Sequence, residues 1–356
     1  MRIAVDARPL NTPKVGIGRY LAELLPRMLR HSRHEWFLYG PRSTWSRNTV
    51  QPNAVVRTPN VSDELHAQVL FPRWAALDRA DVFWSPRHRL PIRLPMPAVV
   101  TIHDLVWKHA PQTMRRLGYL LERATMPRSI AQASRLIAVS CATSCSIRRY
   151  FPKAADKTTV IYCGSFAPTS PTPDHKASEP YGLFVGTVEP RKNLERLLAA
   201  FARIKDEVEH DLHIAGGTGW RMPATSALIR ANGLESRVVA LGAPEDEELL
   251  RQYAGCDFVA MPSLYEGFGL PIIEAMSFGK PVLTGTTSAM PEIAGDAGLL
   301  VDPKSTSDIA RGLRRMMTDK ALRSRLSDAA RRRVRDFSWD SAAAETIRVI
   351  ESAAGA

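Results

Sequence analysis

Short, nearly continuous apolar runs alternate along the chain with longer stretches in which apolar residues recur every three or four positions. In the first half the runs are RIAVDA, WFLYG, VFWSP, AVVTIHD, RLIAVS and TTVIY. In the second they are YGLFVG, DLHIAGG, RVVALG, FVAMPS, PVLTGT and GLLVD. Runs rich in Val, Ile and Leu, bounded by Gly or Pro and separated by helical patterns, predict parallel strands covered on both faces. Each half therefore predicts a doubly wound α/β domain. Ligands of such domains lie beyond the carboxyl ends of the strands, and two domains facing each other would bring those ends to a shared cleft.

A chain of 356 residues is too long for one ordinary core, which agrees with two domains. Between them lies SFAPTSPTPDHKASEP, whose Pro, Ser and Thr content gives it no means of packing a core. The division predicted is a first domain over 1–165, a linker over 166–180, a second domain over 181–338 and a last amphipathic helix over 339–356. No repeat of 20 to 50 residues is evident.

The net charge of +12 is distributed unevenly. Residues 1–165 hold 25 Lys and Arg against 10 Asp and Glu, a net of +15, and residues 166–356 hold 23 against 26, a net of −3. The first domain is thus expected to meet an anionic partner: a nucleic acid, an anionic membrane surface or a phosphorylated acceptor. The composition, 45% hydrophobic and 24% charged, is that of a soluble globular protein. No apolar stretch approaches the roughly 18 to 20 residues that span a bilayer. The opening MRIAVDARPL lacks the apolar region of a secretory signal, so a cytoplasmic location is expected. Cys141, Cys145, Cys163 and Cys256 fit a reducing compartment. Cys141 and Cys145 have helical spacing without a nearby histidine pair and are expected to be buried thiols.

Candidate chemistry concentrates in MPSLYEGFGLPIIEAMSFGKPVLTG, residues 261–285. Gly267 and Gly269 permit positive φ and close approach of a ligand. Pro271 suits a first helical turn, and the amides around Phe268, Gly269 and Leu270 would then face a phosphate. Glu266 in the loop and Glu274 about a turn into the helix would line one pocket. Beside a phosphate, such carboxylates suit hydrogen bonds from hydroxyls, as in a sugar joined to a diphosphate. The bare E-x7-E spacing is equally compatible with a structural role.

After YGLFVG, Arg191 and Lys192 stand where a strand hands over to a helix, a good diphosphate clamp or else two exposed cations on a turn. Gly16 and Gly18 precede a helix after the first strand and read as an anion cradle or a plain flexible loop. His103, followed by Asp104, ends the strand AVVTIHD. It is placed to bond a sugar hydroxyl or carry a proton, or is a strand cap satisfied by the backbone. The loop Gly216-Gly217-Thr218-Gly219-Trp220 would let backbone approach a nucleotide, or is a tight turn supported by tryptophan. PEDEELL reads as an acidic first helical turn. With no Asp-x-Asp loop after a strand and no histidine pair at ligand spacing, no metal is expected, and cations and helix amides carry the charge load.

In order, GTVEPRKNLERLLAAF, IAGGTGW, MPSLYEGFGLPIIEAMSFGKPVL and MPEIAGDAGLLVDP resemble the retaining glycosyltransferases of family 4, with the two-domain GT-B architecture. The opening MRIAVDARPL, GIGRYLAELL and the TIHD segment resemble the mannosyltransferase-like branch. The resemblance runs over nearly the whole chain. It implies that Arg191 and Lys192 neutralise the donor diphosphate, Glu266 binds hydroxyls of the donor sugar, and Glu274 binds the ribose diol. Amides from Phe268 to Leu270 would contact sugar and phosphate, Gly16 and Gly18 the diphosphate, and His103 the transferred sugar. The first domain would receive the acceptor, and the helix from Trp339 to Ser352 would cross back onto it. Transfer would retain anomeric configuration, with no protein nucleophile.

The favoured reaction moves mannose, or a related deoxyhexose, from a GDP-sugar to a lipid-linked or oligosaccharide acceptor in bacterial surface polysaccharide assembly. UDP-sugars are the alternative donors. Arg115, Arg116, Arg123 and Arg128, interleaved with Leu117, Tyr119, Leu120, Leu121 and Met126, form a candidate amphipathic surface for peripheral contact with an anionic membrane, or a helix packed on its own domain. Rival readings are a nucleotide-sugar epimerase, a polyanion-binding protein without catalysis, and a paired-carboxylate glycoside hydrolase. A nucleic-acid partner would leave Arg191, Lys192 and the Glu266 segment without a purpose and is not expected.

Overall fold

In chain order the elements are β1 (Arg2–Asp6), α1 (Gly16–His31), β2 (Glu35–Tyr39), β3 (Ala54–Arg57), α2 (Glu64–Leu77), β4 (Val82–Ser85), β5 (Ala98–Ile102), α3 (Val106–His109), α4 (Arg116–Gln132), β6 (Arg135–Ala138), α5 (Cys141–Tyr150) and β7 (Thr158–Val160). There follow β8 (Tyr181–Val185), α6 (Leu194–Ala202), β9 (Asp211–Ala215), α7 (Thr225–Ala231), β10 (Val238–Gly242), α8 (Asp246–Gly255), β11 (Phe258–Met261), α9 (Leu270–Ser277) and β12 (Val282–Gly285). The last are α10 (Met290–Ala294), β13 (Gly298–Val301), α11 (Thr306–Thr318), α12 (Lys320–Arg333) and α13 (Trp339–Ala354). The computed structural model describes residues 1–12, 16–40, 53–58, 64–165 and 179–355. The expected linker therefore lies outside the described residues except for Glu179 and Pro180.

By their contacts the residues form two compact units. One comprises Met1–Leu105, Leu120–Gly164 and Ser338–Ala356, the other Val106–Tyr119 and Ser165–Phe337.

The first unit holds a seven-stranded sheet in the order β3-β2-β1-β4-β5-β6-β7, parallel throughout. Its middle strands are buried on both faces, as their unbroken apolar runs demand: every residue of β4 and β5 is buried. The strand absent from the sequence reading is β3, a four-residue edge strand whose side chains are mostly half-exposed. It lacks the apolar run that a central strand needs. Helix α1 turns Tyr20, Leu21, Leu24, Leu25, Met28 and Leu29 to the core, and α13 packs against it. His34 and Glu351 meet at 2.8 Å at one end of that contact.

The second unit holds six parallel strands in the order β10-β9-β8-β11-β12-β13. Its core joins Phe184, Leu194, Leu197, Phe201, Phe258 and Leu313 among other apolar side chains. The acidic turn read from PEDEELL is the start of α8, with Asp246, Glu247 and Glu248 in its first turn.

In both sheets the strand order reverses at one place, between β1 and β4 in the first and between β8 and β11 in the second. Neighbouring connections there leave on opposite faces and open a crevice at the carboxyl ends.

Two expectations change. Cys141 and Cys145, read as buried thiols, are exposed on α5; Cys163 and Cys256 are the buried pair. Helical spacing fixes that the two thiols share a side of α5, not that the side faces inward. On α4, Leu117, Leu120 and Leu121 are exposed, but Met126 is fully buried, so the apolar surface is shorter than its sequence pattern. Among the described residues no helix is long and apolar enough to cross a membrane.

Candidate active site

The second unit's switch point is built by two connections. Strand β8 runs out through Gly186 into a 3-10 turn, Pro190–Lys192. Asn193 then adopts a left-handed conformation, φ +63°, as it starts α6. That strained position is pinned by its side-chain amide, which donates to the carbonyls of Pro262 at 2.9 Å and Pro303 at 2.7 Å. The turn is thereby locked to the segment leaving β11, and the Leu264 amide donates to the Arg191 carbonyl at 2.8 Å.

Across that joint the cations and a carboxylate meet. Arg191 Nη1 donates to Glu266 Oε2 at 2.5 Å and to the Tyr265 carbonyl at 3.0 Å. Its Nη2 donates to Glu189 Oε1 at 2.5 Å. Lys192 Nζ donates to Glu266 Oε1 at 2.8 Å. Lys192, Glu189 and Glu266 are all buried, a setting in which charges must be paired. Burial pushes the Glu266 carboxyl up, but Arg191 and Lys192 outweigh it and hold the group down at about 2. At neutral pH it is an anion that accepts hydrogen bonds and has no proton to give, which removes it from general-acid work.

Gly269, at φ +97°, starts α9, and Pro271 occupies its first turn as the sequence predicts. Glu274, buried within α9, accepts a hydrogen bond from Tyr253 at 2.6 Å. Phe268 is buried and meets Phe337 edge-on. In the Gly216–Trp220 loop, a Cβ added at Gly217 would make only an ordinary contact with the Ala243 methyl, at 3.6 Å. The glycines forced by packing are Gly216, where a Cβ would lie 1.9 Å from the Gly186 carbonyl, and Gly219, where it would lie 2.5 Å from that of Val188. Trp220 donates through its indole N–H to the Thr113 carbonyl at 3.1 Å, and Tyr265 stacks on His109 at 5.1 Å. All these residues belong to the second unit.

Thus Arg191, Lys192 and Glu266 are brought together. Gly16, Gly18 and His103 lie in the first unit. Gly18 leaves no room for a side chain, since a Cβ would come within 1.9 Å of the Thr12 carbonyl; at Gly16, φ +50°, a Cβ would meet none of the described residues within 4 Å. His103 Nε2 lies 2.7 Å from the Pro86 carbonyl, which can only accept, so Nε2 carries the proton. Burial lowers the imidazole's affinity for a second proton. His103 is therefore a neutral ring presenting Nδ1 as an acceptor, held edge-on by Tyr20 at 4.8 Å. Glu189, Asn193 and Tyr253 were not singled out from sequence. Glu189 and Asn193 stand in the quoted segment GTVEPRKN, but Tyr253 meets Glu274 only through the fold. Among the described residues, no three His, Cys, Asp or Glu side chains gather as metal ligands would.

Solved structures with this architecture cover almost the whole chain. Sucrose-phosphate synthase from Thermosynechococcus elongatus superposes with a TM-score of 0.80 at 22% identity, covering 99% of this chain and 98% of that one. An Anabaena protein, HepE, solved with UDP and glucose, gives 0.76 at 21%, covering 99% and 100%. With two doubly wound units and these neighbours, the fold is that of a GT-B glycosyltransferase.

The pattern of Glycosyltransferase Family 4 matches residues 15–165, and that of Glycosyl transferases group 1 matches residues 169–333. The O-antigen chain mannosyltransferase B of Escherichia coli is 30% identical over 98% of both chains. The chain belongs to glycosyltransferase family 4, in its mannosyltransferase-like branch, and is a hexosyltransferase.

Proposed function

We propose that the enzyme transfers mannose, or a related deoxyhexose, from a GDP-sugar to a lipid-linked or oligosaccharide acceptor in bacterial surface polysaccharide assembly. Transfer proceeds with retention and without a metal. The observation that carries this reading is the meeting of Arg191 and Lys192 with Glu266 at the second unit's switch point. Two cations suit a diphosphate, and an ionised carboxylate beside them suits sugar hydroxyls. Support for mannose and for the polysaccharide comes from the full-length likeness to an O-antigen mannosyltransferase.

In this reading the donor diphosphate takes up Arg191 and Lys192, which neutralise charge developing on the leaving group. The acceptor hydroxyl attacks on the face from which the diphosphate departs, and a phosphate oxygen takes its proton. Glu266, ionised throughout, holds hydroxyls of the donor sugar, and Glu274, positioned by Tyr253, holds the ribose diol. The amides of Phe268 to Leu270 and Gly217 complete the donor contacts. The assignments of Gly16 and Gly18 to the diphosphate and of His103 to the transferred sugar are part of the same proposal.

A thermal-shift panel of GDP-, UDP- and dTDP-sugars, followed by NMR of the product's anomeric proton and turnover with EDTA, tests the reading. The GDP-sugars should stabilise most, and the product should keep the donor's configuration at an EDTA-insensitive rate. Stabilisation by UDP-sugars alone would move the donor to the alternative. A response to none of them would overturn the donor site. The exposed Leu117, Leu120 and Leu121 of α4, with Arg116, Arg123 and Arg128 on the same helix, are assigned to contact with an anionic membrane surface. Flotation with anionic liposomes tests it, and protein left in the dense fraction at physiological salt would refute it.

A further inference from the structure

The first unit's switch point, between β1 and β4, holds a second set of polar side chains that the reaction above does not use. Asp6 at the end of β1 is bonded by Arg8 at 2.8 and 2.6 Å. The segment after β4 is shaped by the Ser85 hydroxyl, which lies 2.8 Å from the Arg87 carbonyl and 2.7 Å from that of Arg89. It is tied to α4 by the Leu90 amide, which donates to Ser129 Oγ at 3.0 Å. This places His88 opposite Glu122 of α4, with Nε2 and Oε1 3.6 Å apart, too far for a hydrogen bond.

His88 is 9% exposed, yet both its ring nitrogens and Glu122 Oε2 lack a hydrogen-bond partner among the described residues. Buried polar atoms are rarely left so, and several together mark a place where partners arrive from outside. The loop is held in shape without them, so their unmet valence is not a product of disorder.

We propose that His88 and Glu122 form an acceptor subsite that binds adjacent hydroxyls of a neutral sugar. This rests on the glycosyl-transfer reading, with the acceptor received by the first unit. The surrounding charges select the ligand class. Arg87 and Arg89 flank His88, and Asp104 acts on Glu122. A cationic ligand would meet both arginines, and an anionic one would meet Asp104 and Glu122. A sugar diol carries no charge and both donates and accepts, as this pair requires. Burial first, then Arg87, Arg89 and His103, keep His88 neutral, so it offers one N–H and one lone pair. Burial first, then Asp104, push Glu122 up to about 7 against Arg89 and Arg87. Its carboxylate is thus the better acceptor above that pH.

The test titrates methyl α-mannopyranoside, methyl α-glucopyranoside and methyl α-galactopyranoside into the full-length protein without donor, by saturation-transfer NMR at pH 6 and 8. Wild type should bind at least one of them, more tightly at pH 8. Glu122→Gln should weaken that binding about tenfold or more at pH 8 and remove its pH dependence, and His88→Gln should weaken it at both pH values. Thermal shift by GDP-mannose, a ligand of the other unit, should be the same in all three proteins. Wild type binding none of the glycosides overturns the subsite, as do folded variants that bind like wild type, which would leave the pair a structural contact only. Should His88→Gln fail to fold, the isosteric Glu122→Gln decides alone. Failure of the glycosyl-transfer reading shows separately, as absence of any response to nucleotide sugars while the glycoside titration is still scored.

Discussion

Replacing Glu122 by Gln should change how the first unit's stability depends on pH, and the size of the change follows from the carboxyl's surroundings. Burial and Asp104 hold the folded-state value at about 7, against an ordinary value of 4.5. Between those two values the folded protein keeps a proton that the unfolded chain has released, so stability falls as pH rises. The contribution is complete below pH 4.5 and is lost as pH rises through 7. The gap of about 2.5 pH units, at 1.36 kcal/mol each, corresponds to ~3 kcal/mol. Glutamine keeps the shape and cannot ionise. About 2.5 kcal/mol of this falls between pH 5 and pH 8, and for a unit of this size each kcal/mol moves Tm by about 2–4 °C, so the Tm of Glu122→Gln relative to wild type should rise by roughly 5–10 °C over that range. Differential scanning calorimetry at constant ionic strength measures it. Tm curves that run parallel across that range would refute the account of Glu122 as a carboxyl strained by burial.

Four further outcomes are expected. Lys192→Ala should lower kcat by about a hundredfold or more with the circular dichroism spectrum preserved; near wild-type turnover would remove Lys192 from the leaving-group site. Glu266→Gln leaves Arg191 and Lys192 sharing a neutral partner and should destabilise the second unit by ~3 kcal/mol or more, read by urea denaturation; an unchanged midpoint would contradict the buried network. Tyr253→Phe removes one hydrogen bond to Glu274 and should raise donor KM several-fold at constant kcat, in keeping with about 1 kcal/mol for such a bond; a fall in kcat alone would place Tyr253 elsewhere. Gly18→Ala should unsettle the start of α1, because its Cβ has the Thr12 carbonyl in its place, and an undiminished Tm would show that the segment yields freely.

Much of the fold is legible because parallel strands buried on both faces must be apolar throughout, which leaves runs such as AVVTI and YGLFV plain in the chain. The edge strand β3 escapes because one side of an edge needs no such run. In the second unit, Arg191, Lys192 and Glu266 are readable because each lies in a short segment between a strand and a helix. What the chain does not display is that these cations and this carboxylate are one another's partners, 74 and 75 residues apart. That depends on β8 and β11 being neighbours in space. His88 and Glu122 are hidden for the same reason: neither stands in a motif, and only the position of α4 beside the segment after β4 brings them together. The burial of Met126 and the exposure of Cys141 and Cys145 show the limit of helical spacing, which groups residues on a face without saying which way that face looks.

The pairing of Arg191 and Lys192 with Glu189 and Glu266 bears on how the enzyme meets ions in general. Two positive charges matched by two negative ones project little net field, so the cluster by itself gives stray phosphate little attraction. On the proposed reading, a nucleoside diphosphate alone can draw the cations away but gives Glu266 nothing in return, whereas a diphosphate carrying a sugar brings the hydroxyls that replace them. On the same reading, once the sugar has moved on Glu266 would reclaim its cations and so weaken the hold on the spent nucleotide. Donor capture should accordingly vary little with ionic strength, while anything drawn to the +15 first half of the chain should feel every added millimole of salt.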